Sequence, residues 1–132
     1  MQSIIWVRYE AVIKIHRHQL TEHGGLDGIR NQALLESALN RPKNLLAYSE
    51  SPPDISALAA AYAYGLTTNH PFVDGNKRTA YVVTRSFLIL NGYDLEASEE
   101  ATYQTWMDLA ASRLSEEELA IWIRERIFPY GG

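Results

Sequence analysis

The amino-acid sequence predicts an all-α fold, a compact bundle of about six helices with little strand. Apolar residues recur at helical spacing in two central segments, residues 55–68 and residues 79–90. Residues that commonly cap helices precede several further amphipathic segments, and glycine or proline often follows them. The chain has 132 residues, of which 46% are hydrophobic, so it can bury one core. We therefore expect one domain, residues 1–132.

The first helix is predicted over residues 8–22, because its apolar residues fall on one side. Residues 3–7 are interpreted as an extended lead-in. His16 is expected to face the core. A metal site built from His16, His18 and His23 is disfavoured, because residues two apart on a helix do not share a face.

The second helix is expected to begin after Asn31, a good N-cap residue, and to run through Leu39. Pro42 lies just beyond, and proline interrupts helix interiors. Residues 43–54 mix apolar side chains with serines and prolines in no clean period. They are therefore predicted to form a partly exposed connection.

Two further helices are predicted in the last third of the chain. The first opens at residues 98–99, and a capping box formed by Ser115 and Glu118 marks the start of the second. The aromatic residues of these helices, such as Tyr103 and Trp106, are interpreted as packing residues rather than as a platform for stacking nucleobases.

The junction between the two central helices, residues 70–78, reads His-Pro-Phe-Val-Asp-Gly-Asn-Lys-Arg. Pro71 keeps His70 out of the α region, so the preceding helix should end at or just before the histidine. Gly75 permits a turn with positive φ, and Asn76 is a preferred N-cap for a helix that begins at the next residue. The histidine should therefore lie over a loop that leads into a helix N-terminus.

Two cations, Lys77 and Arg78, occupy the first turn of this predicted helix. A helix N-terminus carries partial positive charge and unpaired N–H groups, so it favours anions and disfavours cations. A bound anion would resolve the conflict, since Arg78 can grip phosphate oxygens and Lys77 adds a point charge. The pattern therefore predicts an anion site.

Neighbouring residues supply the other groups that chemistry on a phosphorylated molecule needs. Asp74 offers a carboxylate of the kind that shares Mg²⁺ with phosphates. His70 offers an imidazole, which can take a proton from an attacking hydroxyl. The same residues also have ordinary interpretations as a structural histidine, an Asp-Gly turn and a solvated Lys-Arg pair. Phe72 is interpreted as a core anchor in either case.

Residues 70–78 resemble the signature of the Fic/Doc family, which is His-Pro-Phe-x-Asp/Glu-Gly-Asn followed by Gly or Lys and then Arg. Every fixed position of that signature is matched. The resemblance covers residues 4–127 and implies the Fic/Doc fold. The other segments that resemble the Doc branch are residues 24–30, 34–39, 41–42 and 91–93.

The residue at position 77 indicates the branch of the family. Glycine typically occupies this position in Fic proteins that transfer AMP, whereas the lysine of this chain is similar to Doc toxins. The resemblance implies a toxin that moves the γ-phosphate of ATP to a threonine of elongation factor Tu and so blocks translation. It implies ATP and Mg²⁺ as cofactors, with His70 as the base and Asp74 as the metal ligand. The residues implied to bind phosphates are Gly75, Asn76, Lys77 and Arg78.

The resemblance also has implications for partners and control. It implies a Phd-like antitoxin, and a flap within residues 43–54 that aligns the target segment. Many Fic proteins carry an inhibitory helix with Ser/Thr-x-x-x-Glu-Gly/Asn. Ser112 and Glu116 have the first spacing of that motif, but Glu117 follows. The sequence therefore predicts that an active toxin is restrained from outside the chain.

Composition restricts the function classes further. The formal net charge of −4 argues against direct nucleic-acid binding. The sequence has no cysteine, which excludes disulfides and thiolate metal sites, and no apolar run long enough to span a membrane. We also find no charged-then-apolar signal sequence, so the prediction is a cytoplasmic protein.

Three alternatives stay open on the sequence alone. The chain could transfer AMP instead of phosphate to a protein hydroxyl. It could also be a non-catalytic module that binds nucleotide or antitoxin in a regulatory role, or a purely structural bundle. ATP labelled separately at its α- and γ-phosphates distinguishes the two transfer reactions.

Overall fold

Six α-helices and one two-stranded sheet make up residues 3–131, the part of the chain that the computed structural model describes. The helices are α1 (Tyr9–His23), α2 (Gln32–Tyr48), α3 (Ile55–Asn69), α4 (Asn76–Leu90), α5 (Glu99–Ala110) and α6 (Glu116–Arg124). The strands β1 (Tyr93–Leu95) and β2 (Ile127–Pro129) pair antiparallel, with Asp94 opposite Phe128. The predicted bundle of about six helices with little strand is confirmed.

Helix α3 lies at the centre of the bundle and packs against α2, α4, α5 and α6. Its many alanines are small enough to let neighbouring helices approach closely, and it is buried on nearly all sides. Its Tyr62 is fully buried, and the hydroxyl accepts the Val7 N–H at 3.1 Å. Although α3 is apolar, it has 15 residues, and no helix in the described part of the chain is long and apolar enough to cross a membrane. The loop that follows α3 therefore starts from a rigid position.

Helix α2 runs to Tyr48 and contains Pro42, so the prediction that it ends at Leu39 is wrong. Leu35, Leu39 and Pro42 are all buried at helical spacing, so they form one continuous apolar face. Burial of that face outweighs the hydrogen bond that the proline cannot donate. The connection between α2 and α3 therefore shrinks to residues 49–54.

The starts of three helices, α2, α5 and α6, agree with the sequence. Asn31 accepts the N–H of Leu34 and caps α2, while Ser98 caps α5. Ser115 and Glu118 form the predicted reciprocal capping box at α6. The start of helix α4 differs from the prediction, because its first turn forms part of the site described next.

Candidate active site

Helix α4 begins one residue earlier than predicted, and Asn76 is not its N-cap. Gly75 holds the cap position with φ of 75°, in the left-handed region that the sequence predicted for it. Asn76 is the first helical residue, and its side chain is buried. Its Oδ1 accepts the Phe72 N–H at 3.0 Å, and its Nδ2 donates to the Phe72 carbonyl at 2.9 Å. The amide thus ties the loop to the start of the helix, a role that cap preferences alone do not reveal.

The same amide orients the ring of His70. Asn76 Nδ2 lies 3.3 Å from His70 Nδ1. The two bonds to Phe72 fix which end of the amide is nitrogen, and an amide N–H can only donate. Nδ1 is therefore the acceptor, so the neutral ring carries its proton on Nε2 and its lone pair on Nδ1.

The backbone of His70 adopts an unusual conformation. Helix α3 ends at Asn69, and His70 follows with φ 49° and ψ 56°, in the left-handed region. The prediction that Pro71 keeps this residue out of the right-handed α region is confirmed. Residues other than glycine rarely adopt such angles, because the Cβ crowds the backbone, and the strain persists only where the surroundings hold it. The side chain of His70 is exposed at the rim of a cavity.

Asp74 is exposed, and both of its carboxylate oxygens accept backbone N–H groups. Leu26 donates to Oδ2 at 3.2 Å and Gly75 donates to Oδ1 at 2.9 Å. These two hydrogen bonds hold the pKa of Asp74 below its usual value, and the bond from Leu26 has the larger effect. The charge of Arg78 lowers the pKa further. The carboxylate is therefore ionised at neutral pH, and it retains lone pairs for a hard cation. No group of three or more metal-ligating side chains lies within residues 3–131, so a cation at Asp74 would also need oxygens of substrate and water.

His16 supports the loop from α1. It is buried, and its ring stacks on that of Phe72 with centroids 3.8 Å apart and planes 9° apart. Its Nε2 donates to the Asp74 carbonyl at 2.8 Å, because a carbonyl oxygen can only accept. The prediction that His16 faces the core is confirmed, and so is the prediction that Phe72, which is 1% exposed, anchors the loop in the core.

The two predicted cations, Lys77 and Arg78, lie in the first turn of α4, which no side chain caps. Neither takes part in an ion pair within residues 3–131. Their charges therefore add to the partial positive charge of the helix end. Binding of an anion at this helix end stays a prediction, and the local electrostatics favour it.

A cavity of about 1050 Å³ opens beside the loop. It brings together all six residues that the sequence singled out, namely His70, Asp74, Gly75, Asn76, Lys77 and Arg78. Gln19 and His23 border it from the end of α1. The predicted groups therefore share one space, and their separate chemical roles stay predictions.

Another part of the cavity lining was not predicted. It includes Tyr103 and Trp106 of α5 together with Tyr81 and Arg85 of α4. Trp106 is buried as expected, but Tyr103 is 67% exposed, so its interpretation as a packing residue is wrong. Tyr81 and Arg85 follow Arg78 at intervals of three and seven residues, a helical spacing that places all three on one face of α4. That spacing is the signal in the sequence from which Tyr81 and Arg85 could have been predicted to border the cavity.

A second missed feature is the segment of residues 24–31, which lies along the loop. Val73 donates its N–H to the Gly28 carbonyl at 3.0 Å. Ile29 and Phe72 form an isolated antiparallel bridge. Three glycines mark this segment in the sequence, but nothing local in the sequence shows what it pairs with.

The glycine at position 25 is required by its close approach to Asp74. A Cβ at this position would come within 2.9 Å of Asp74 Oδ2, which is closer than real Cβ atoms approach. Residues 43–54 do not line the cavity, and a flap there stays a prediction that this geometry does not support. The first half of that range is helical, and the segment that pairs with the loop is residues 24–31.

Comparisons with known proteins agree with the signature. The profile of the Fic/DOC family matches residues 6–88. The chain is 39% identical over 74 residues to Toxin Doc of Mycolicibacterium smegmatis, an alignment that covers 56% of this chain and 57% of that protein. It is 32% identical over 91 residues to Protein kinase doc of Escherichia phage P1, which covers 69% of this chain and 71% of that protein.

Proposed function

Because this chain belongs to the Fic/DOC family, we propose that it is a Doc-like toxin that transfers the γ-phosphate of ATP to a protein hydroxyl. One observation carries the proposal: an imidazole, an ionised carboxylate and two cations without ion-pair partners in the described chain surround one cavity. Phosphoryl transfer depends on alignment and on neutralisation of charge rather than on covalent chemistry by the protein. This set of groups supplies both.

In this proposal His70 accepts the proton of the acceptor hydroxyl. Its exposure lets a hydroxyl on another protein reach the ring. In the tautomer that Asn76 favours, the only lone pair of the ring is at Nδ1 and accepts the Asn76 amide, so Nδ1 can take the hydroxyl proton only by giving up that contact. Protonation turns Nδ1 into a donor, so the contact with the Asn76 amide opens as the imidazolium forms.

Asp74 fits the Mg²⁺ ion that the family implies, because it is an ionised hard oxygen ligand beside the anion site. When bound, the metal neutralises charge on the phosphates. The phosphates themselves would meet Lys77, Arg78 and the free N–H groups of the first turn of α4, beginning after Gly75. The Asn76 amide is already bonded to backbone and to His70, so we assign its backbone N–H, rather than its side chain, to the phosphates.

The lysine at position 77 supports transfer of phosphate over transfer of AMP. Lys77 is partly buried in the first turn of α4, at the position where Fic proteins that transfer AMP typically carry glycine. Its side chain would take space beside the phosphates and would add charge next to the transferred group. AMP transfer uses the same base and the same metal ligand, so the two reactions differ in the pose of the nucleotide.

We further propose elongation factor Tu as the acceptor and a Phd-like antitoxin as the restraint. The name of one relative, Toxin Doc, supports a toxin–antitoxin pair. The nearest sequence match to an inhibitory motif is not at the site, because Glu116 lies outside the cavity and accepts a hydrogen bond from Arg41 Nε at 2.8 Å. Restraint by a separate protein is consistent with that position.

The test is incubation of the chain and elongation factor Tu with ATP labelled at either the α- or the γ-phosphate. The proposal predicts that only the γ label reaches the acceptor, and that His70→Ala prevents the transfer. Transfer of the α label would replace the proposal with AMP transfer. Nucleotide binding without transfer of either label would favour a regulatory module instead.

A further inference from the structure

The left-handed backbone of His70 raises the question of what holds it. Among residues 3–131, only His70 and Ser112 have a positive φ without being glycine. The direction in which the imidazole leaves the chain depends on these angles. A relaxation of the backbone toward ordinary angles would therefore move the base.

One common way of stabilising such a helix end, a hydrogen bond from the N–H of the residue after the left-handed one, cannot operate at His70. A helix that ends in a left-handed residue normally accepts N–H groups of the next residues at its last carbonyls. The residue after His70 is Pro71, which has no N–H. Pro71 therefore cannot make the hydrogen bond to a carbonyl five residues earlier that often closes such a helix end, so a donor from elsewhere must hold the backbone at His70.

Arg30 provides that donor. Its Nη2 donates to the Asn69 carbonyl at 2.8 Å, and its Nε donates to the His70 carbonyl at 2.6 Å. The planar guanidinium presents two donors at a fixed separation, which matches two consecutive carbonyls. Its charge also complements the negative end of the α3 dipole.

The position of Arg30 is itself fixed by its neighbours. The backbone N–H groups of Arg30 and Asn31 both donate to the Pro71 carbonyl, at 2.7 and 3.1 Å. Asn31 also caps α2 through the Leu34 N–H at 2.9 Å. The guanidinium is therefore carried by a segment that is tied to both the start of α2 and the loop.

We propose that Arg30 is a positioning residue for the transfer reaction: its guanidinium binds the carbonyls of the two peptide groups that flank the Cα of His70, and so holds His70 in its left-handed conformation. The inference rests on the proposed function, since it assumes that His70 is the base. Arg30 does not line the cavity, so it is not assigned contact with the nucleotide. Its loss should misplace the base without removing the nucleotide site.

The experiment measures γ-phosphate transfer by Arg30→Ala, Arg30→Lys and the wild-type chain. Misplacement of a catalytic group costs on the order of 10²-fold, so Arg30→Ala should lower kcat by roughly 10- to 100-fold while KM for ATP changes by less than about threefold. Arg30→Lys keeps the charge and N–H donors but loses the fixed geometry of the guanidinium, so it should retain intermediate activity. Arg124→Ala is the matched control, because it removes a two-bond guanidinium contact to Asp54 outside the cavity, and it should leave kcat unchanged.

Chemical rescue separates positioning from a general structural role. Added guanidinium or ethylguanidinium ions, at millimolar concentration, should restore part of the kcat of Arg30→Ala, whereas equal concentrations of sodium chloride should not. Because guanidinium destabilises folded proteins, such rescue cannot arise from improved folding. If Arg30→Ala does not fold, the same kinetic comparison is made with Arg30→Lys, for which wild-type kcat would contradict the proposal.

The outcomes distinguish failure of the proposed function from failure of the role of Arg30. Absence of γ transfer by the wild-type chain overturns the proposed function. Wild-type transfer together with an unchanged kcat in Arg30→Ala, or a loss confined to KM, overturns only the role of Arg30. Loss of kcat with rescue by guanidinium supports it.

Discussion

The central helix α3 is flanked by two connections of equal length, residues 49–54 before it and residues 70–75 after it. The first is held mainly by its own ends. Ser49 bonds back to Leu45, Asp54 caps α3, and one surface ion pair joins Asp54 to Arg124. No residue of this connection is buried.

The second connection is held from distant parts of the chain. His16 reaches it from α1, and Leu26 and Arg30 reach it from the segment before α2. Phe72 is buried beneath it, and the Asn76 amide ties it to the start of α4. Two connections of the same length are therefore held very differently, and what separates them is the number of contacts that each receives from distant parts of the chain.

Replacement of His70, the proposed base, should reduce phosphate transfer more than any other change. His70→Ala should abolish detectable phosphate transfer, because a general base contributes about 10²- to 10⁴-fold, while the fold stays intact. His70→Asn is a useful companion, since asparagine tolerates left-handed angles and so preserves the backbone. Steady-state transfer assays and circular dichroism check both variants, with Ser51→Ala in the other connection as the control. Wild-type transfer by a folded His70→Asn would remove His70 from the mechanism.

A second prediction concerns the effect of lengthening each of the two connections by the same amount. Two glycines inserted between Ser51 and Pro52 should cost less than about 0.6 kcal/mol of stability, because loop closure depends weakly on length. They should leave transfer intact. The same insertion between Val73 and Asp74 should abolish transfer, because it breaks the register with residues 24–31. Equal effects of the two insertions, measured by urea unfolding and transfer assays, would show that the anchors do not matter.

A third prediction concerns the anchor in the core. Phe72→Ala should lower the free energy of unfolding by about 3–5 kcal/mol, because it removes a fully buried ring that stacks on His16. Pro53→Ala in the other connection should change it by less than about 0.5 kcal/mol, since Pro53 is only partly buried. Chemical denaturation of both variants makes the comparison. A loss below about 1 kcal/mol at Phe72 would contradict its role as the anchor.

The smallest expected effect is the pH dependence contributed by Asp54. The ion pair with Arg124 and the N–H of Ala57 hold the pKa of Asp54 below its ordinary value of 3.8. A lowered pKa stabilises the fold above the unfolded-state value, and that contribution is lost as pH falls through the folded-state value. Asp54→Asn keeps a good cap but loses the ion pair, so it should cost less than about 1 kcal/mol at pH 7 and progressively less as the pH falls below the ordinary pKa of 3.8.

The effect of Asp54→Asn on stability should also depend on salt concentration. The pair is about half exposed on both sides, so added salt should screen it and shrink the difference between Asp54→Asn and the wild type. The pKa of Asp74 is lowered mainly by backbone N–H groups instead, so its carboxylate should stay ionised in the same salt series. A stability difference at Asp54 that grows as the pH falls would contradict the expected direction of this effect.

The sequence predicted the parts of this structure that depend on local chemistry. Helix caps at Asn31 and Ser115, the break at His70 and the turn at Gly75 all follow from the preferences of neighbouring residues. The end of α2 was predicted wrongly at Leu39, because burial of its apolar face in the folded bundle overrides the local penalty of a proline.

The contacts that hold the site could not be predicted in the same way. Asparagine is a common N-cap residue, but the partners of the Asn76 side chain are the backbone of Phe72 and the ring of His70. Arg30 lies 40 residues before the carbonyl that it binds. Such pairings depend on the three-dimensional path of the chain, which a single sequence does not display.

The most direct test of the proposed mechanism is a crystal structure of the chain with Mg²⁺ and a non-hydrolysable ATP analogue. The mechanism predicts that the triphosphate lies against the first turn of α4, with the metal at Asp74 and the γ-phosphate facing the imidazole of His70. A triphosphate bound elsewhere, or one with its α-phosphate facing His70, would contradict it.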